Sequence, residues 1–167
     1  MHKIIIFIGL WLCIASGASH AHSSAIASYE IEQHKAGDWT LTISVPLGGL
    51  HLALLNTYDE EALWVKEGEY NVALVVQYLK KHSQILANQK TPLTLLEVNA
   101  ELDDHQSQFI FSIENMPQPL HQLTLHFDAM SENPGHINIA RVKQASYQNR
   151  VILSYANDFR GVLAFKR

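Results

Sequence analysis

Trp39-Thr40-Leu41-Thr42-Ile43-Ser44-Val45 alternates apolar and polar side chains without a break. Successive side chains of a β-strand point to opposite faces, so this period of two predicts a strand with one face on a core and the other in water. Residues 25–33 read as its hairpin partner. Lys35-Ala36-Gly37-Asp38 between them supplies the small, polar and φ-permissive residues that a turn requires. The chain therefore opens on an antiparallel pair.

Working outward, the period changes after Pro46. Leu50, Leu54 and Leu55 suggest a short helix, and Val72, Val75, Val76 and Leu79 recur at i, i+3, i+4 and i+7. That second set is the apolar stripe of an amphipathic helix whose polar face carries Gln77, Lys80 and Lys81. From Ile85 onward the chain returns to strands, with Asn88-Gln89-Lys90 as a turn and strands over 94–102, 108–113, 122–127, 137–142, 151–155 and 162–165. The separators are Asp103-Asp104-His105-Gln106, Pro117-Gln118-Pro119, Glu132-Asn133-Pro134-Gly135 and Tyr147-Gln148-Asn149-Arg150, all rich in turn formers. The expected fold is mainly β (α+β): an antiparallel β-sandwich-like domain of about eight strands with a two-helix insertion after the second strand.

The amino terminus carries a different signal. Lys3 precedes an apolar run from Ile4 to Ile14, and small residues lead into Ser19-His20-Ala21. The run is too short to span a bilayer and has the small-residue pattern of a signal-peptidase site, so residues 1–21 read as a signal peptide and 22–167 as one exported domain, periplasmic or secreted. The single cysteine, Cys13, lies inside that apolar run, and Leu12 occupies the place where a lipobox wants a small residue. Neither a disulfide nor a lipid anchor is expected, and no later stretch has the length of a membrane span.

The chain of 167 residues carries a formal charge of −4. Its largest basic cluster is Lys80-Lys81, which excludes the phosphate-neutralising footprint of a nucleic-acid binder. G-x-S-x-G, H-E-x-x-H and the P-loop are absent, so no sequence signature marks a hydrolase or nucleotide enzyme. His126 and Asp128 share a strand face with Ser131 nearby, which reads as a solvated pair. Glu60-Glu61 and Asp103-Asp104 read as surface charge. The histidines show no metal-ligand spacing. The exception is His22, which becomes the amino-terminal residue after cleavage and can then chelate copper through its α-amine and imidazole together. His82, His121, His126 or His136 would have to supply a third nitrogen, and the sequence selects none of them.

With these elements in place the chain resembles the secreted bacterial family catalogued as domain of unknown function 6702. The resemblance runs through His22, Glu30-Ile31-Glu32, Leu41-Thr42-Ile43, Leu50 with Ala53-Leu54, Tyr78-Leu79-Lys80-Lys81-His82, Asn88-Gln89-Lys90, Asn138, Ser154 and Gly161-Val162-Leu163-Ala164-Phe165. It implies export, one compact β-rich domain and an uncharacterised role. None of these motifs is catalytic. The family's aromatic residues after the first histidine and its acidic pair before the first helix are replaced here by Ser24-Ala25 and Gly48-Gly49. The expected function is a non-enzymatic binding or accessory protein of the cell envelope with a protein or envelope partner. The alternative is a periplasmic copper-binding protein built on His22, and a hydrolase assembled from distant residues is a third reading.

Overall fold

A computed structural model describes residues 25–35, 37–66 and 68–165; the expected signal peptide over residues 1–21 and His22 lie outside them. Strands β1 (Ile26–Lys35) and β2 (Asp38–Val45) form the expected antiparallel pair, with Gly37 at φ 96° in the turn. In β2 the apolar set Trp39, Leu41, Ile43 and Val45 is buried while Thr40, Thr42 and Ser44 face outward. Helix α1 (Leu47–Leu55) follows directly. It buries Gly49, Leu50, Ala53 and Leu54 and leaves Leu55 exposed, and Gly48-Gly49 falls in its uncharged first turn. A 3-10 turn over Glu60–Leu63 leads into a small hairpin, β3 (Trp64–Lys66) and β4 (Glu69–Tyr70). Helix α2 (Val72–Lys81) starts at Asn71, whose side chain caps it by accepting from the Leu74 N–H at 3.2 Å. Lys80 and Lys81 fall in its last turn, where cations suit the helix dipole.

The remaining strands are β5 (Ser83–Ala87), β6 (Thr91–Pro92), β7 (Thr94–Glu101), β8 (Ser107–Glu114), β9 (Gln122–Phe127), β10 (Ile137–Gln144), β11 (Tyr147–Ser154) and β12 (Arg160–Ala164). The described residues thus form twelve strands, not eight. The additional ones are the β3–β4 hairpin and the two-residue β6, too short for periodicity to register, and β5, which begins at Ser83, two residues before the return to strands read at Ile85. Tyr147-Gln148-Asn149-Arg150, read as a turn, is strand: β10 and β11 pair from Gln144↔Tyr147 onward, so the turn is Ala145-Ser146.

Two main sheets result, one ordered β11-β10-β1-β2-β8-β7 and the other β12-β9-β5-β6. All pairings are antiparallel except β1 with β10, which run parallel in register Ile26↔Ile137 to Gln33↔Gln144. The larger sheet is therefore mixed, a correction to the antiparallel expectation. β1 and β10 lie more than a hundred residues apart, and no hairpin dictates their relative direction. One hydrophobic core runs through both sheets and both helices. Tyr29 of β1 stacks on Phe127 of β9 with centroids 4.4 Å apart, and Trp39 of β2 meets Phe165 edge to face. No described helix is long and apolar enough to cross a membrane.

Candidate functional site

Histidines that look scattered in sequence are partly gathered by the strand pairing. The β5–β9 register sets Ser83 opposite Phe127, which brings His82 at the end of α2 beside Asp128 just past β9. His82 Nδ1–H donates to Asp128 Oδ1 at 2.9 Å, and the Asp128 N–H donates to the His82 carbonyl at 3.2 Å. His126 Nε2 lies 3.6 Å from the other carboxylate oxygen, a contact beyond hydrogen-bond length. The pair read in sequence was His126 with Asp128, and the tighter partner is His82. A separation of 46 residues hides it from any local pattern. Ser131 contributes its backbone N–H to the Asp128 carbonyl. Its hydroxyl bonds to neither imidazole, so the set lacks the nucleophile-to-base contact that a triad requires. Beneath it the Tyr78 hydroxyl accepts the Met130 N–H at 2.8 Å. Burial pushes the phenols of Tyr29 and Tyr78 well above the usual range and keeps both protonated.

His136 and His121 sit elsewhere. His136 is buried at the start of β10 and its Nε2 is 2.8 Å from Asn138 Oδ1. Asn138 is wholly buried and donates to the carbonyls of Phe127 and Ala129. His121 is exposed at the opposite end of β9, where its N–H donates to Asn88 Oδ1. Among the described residues no group of three or more histidines, cysteines or acids is arranged to hold a metal ion. His22 lies outside the described residues, so the copper brace gains no placed ligand.

The surface feature richest in recognition chemistry is a groove of about 510 Å³ that sequence reading missed. The β3–β4 hairpin supplies Trp64 and Tyr70, whose rings lie 4.5 Å apart, and the start of α2 supplies Val72. The turn between β7 and β8 supplies Leu102, Asp103 and Asp104. Tyr70 Oη lies 2.6 Å from His51 Nδ1 of α1, and the His51 ring packs edge-on to Tyr70, so the aromatic wall is braced from behind. Burial raises the Tyr70 pKa, which keeps its hydroxyl protonated. Asp103 Oδ1 accepts the N–H groups of His105 and Gln106 at 2.9 and 3.4 Å, an Asx-type turn. Those bonds hold the Asp103 carboxyl below the usual range, so Asp103 stays charged. Asp103-Asp104 is a turn as expected, and its side chains border the groove in addition to facing solvent. The only sequence hint was two aromatics, Trp64 and Tyr70, on either side of the polar stretch Lys66-Glu67-Gly68-Glu69. No protein-family model matches the chain, and no curated protein matches it significantly.

Proposed function

We propose that the protein is an exported β-sandwich domain of the cell envelope, a binding or accessory protein that receives a positively charged segment of a partner in the groove between the β3–β4 hairpin and the β7–β8 turn. The observation that carries this reading is the sharing of one groove by the Trp64 and Tyr70 rings with Asp103 and Asp104. A lysine or arginine side chain suits both halves: its cation is attracted to ring faces and carboxylates, and its methylenes cover the apolar wall. Among the described residues no nucleophile is bonded to the imidazoles beside Asp128, which favours binding over hydrolysis. The resemblance to the secreted family of unknown function, and the leader ahead of residue 22, support the export half of the proposal.

The test is affinity capture from envelope extract with the mature protein beside its Trp64→Ala/Asp103→Asn/Asp104→Asn variant. The reading expects a partner with an exposed basic segment that the wild type retains and the variant releases. Equal recovery on both proteins contradicts it.

A further inference from the structure

The two outer edges of the larger sheet are finished differently. Alternate residues of an edge strand turn their backbone groups to the same side, and at β11 those of Arg150, Ile152 and Ser154 are taken up by the chain's own side chains. Asn149 Oδ1 accepts the Arg150 N–H at 2.8 Å, Asn157 Oδ1 accepts the Ser154 N–H at 2.9 Å, and Asn157 Nδ2 donates to the Ile152 carbonyl at 2.8 Å. Little is left there for another strand to pair with. At the opposite end β7 pairs with β8 alone, and among the described residues no strand and no side chain hydrogen-bonds the backbone of its other edge. Leu96-Glu97-Val98-Asn99 are consecutively exposed, so neither face of the strand is covered at this point, and Val98 is 63% exposed. An edge that presents free backbone groups and apolar side chains is a template for a further strand.

The charges of the edge select what it takes. Residues 91–114, which hold β6, β7, the turn and β8, carry Glu97, Glu101, Asp103, Asp104 and Glu114 and no lysine or arginine. A second copy of the chain would bring the same acids to β7, and like charges set opposite each other are destabilising. The bulge at Val98, where the register with β8 shifts between Glu97 and Asn99, also interrupts a long regular pairing. A short basic segment has neither difficulty, since it can pair on one side of the bulge. Beyond Glu101 the strand leads through Leu102 to Asp103 and Asp104 at the groove, so one segment can reach both.

We propose that the positively charged segment of the partner binds as an extended strand added to the free edge of β7, its cations near Glu97 and Glu101 and its apolar side chains near Leu96 and Val98. Main-chain hydrogen bonds supply the affinity and alternate side chains the specificity. The proposal rests on the groove reading for the charge of the partner and adds the conformation in which it binds.

The test is NMR on the folded protein with a peptide of about ten residues alternating lysine and valine, and with the same peptide N-methylated at alternate residues to remove its backbone donors. Hydrogen exchange of the β7 amides reports strand addition, and the Trp64 indole resonance reports the groove. The expected result is slower exchange at alternate β7 amides, with binding weakened about tenfold by N-methylation and about tenfold in Glu97→Lys/Glu101→Lys. Both glutamates are exposed, so that variant keeps its fold. A Trp64 response with unprotected β7 amides overturns strand addition and leaves the groove reading standing. Protected β7 amides with an unmoved Trp64 support strand addition and contradict the groove. Equal binding of the N-methylated peptide, or no binding of either peptide, overturns the proposal.

Discussion

Asn138 shows what a single residue does in this chain. Its burial is explained by three hydrogen bonds, two donated to the carbonyls of Phe127 at the end of β9 and Ala129 just past it, and one accepted from His136. Replacing it with leucine strands two carbonyls and an imidazole N–H. Asn138→Leu is expected to cost about 3 kcal/mol, measured by urea unfolding. His136 makes a prediction with a sign. Its folded pKa lies below 6.5, so below about pH 6.5 the unfolded chain takes up a proton that the folded chain refuses. That contribution to stability is complete above pH 6.5 and declines as pH falls toward the folded value. Unfolding free energy measured between pH 7 and about pH 5 should fall less steeply in His136→Gln than in the wild type. Asn138 was visible in sequence as a resemblance, but its partners were not. They lie 9 and 11 residues away around a turn whose course no local pattern states.

At the level of elements, legibility followed exposure. Helix α2 was readable because one face meets the core: Val75, Val76 and Leu79 are buried as expected, Gln77, Lys80 and Lys81 are exposed, and Tyr78 joins the buried set. Strand β11 was misread at its start because it is a sheet edge. Gln148, Asn149 and Arg150 are all exposed, so neither face left an apolar trace. Its far end explains the glycine of Gly161-Val162-Leu163-Ala164-Phe165. A Cβ at Gly161 would lie 2.7 Å from Leu153 Cδ2 and 2.8 Å from Val151 Cγ2, where β12 of one sheet crosses close to β11 of the other. The stiff β-branched Val151 has little room to yield. Gly161→Ala is expected to destabilise the fold by about 2 kcal/mol by thermal or urea denaturation, and Val151→Ala should relieve part of that loss in the double variant. The turn Asn88-Gln89-Lys90 held as read. Asn88 and Gln89 adopt φ 51° and 64°, which asparagine tolerates, and the Asn88 side chain ties the turn to His121, Gln122 and Pro119.

For the whole molecule, the sequence conveyed a mainly β domain with two helices but not the order of its strands. The parallel β1–β10 pairing joins segments more than a hundred residues apart, and hydrophobic period carries no information on direction. The groove was hidden for the same reason. Trp64 and Tyr70, Val72, and Leu102 to Asp104 come from three stretches that meet only once the helices and β7–β8 are in place. Asp103 is one of the residues that make the groove specific, since its backbone-bonded carboxylate stays charged under mildly acidic conditions. Binding through it should weaken as salt is raised, because the rim is exposed and its charges are screened. The most direct test follows from Trp64. Trp39 is buried and Trp64 is half-exposed, so in the protein beginning at residue 22, without Trp11, Trp64 is the indole that reports on the groove. Its fluorescence should be followed while a lysine- and arginine-rich peptide, then an acidic peptide of equal length, is titrated at low salt. The expected result is a saturable change with the basic peptide alone, weakened about tenfold in Asp103→Asn/Asp104→Asn. An indifferent Trp64, or the same response to both peptides, contradicts a groove built for a positively charged partner.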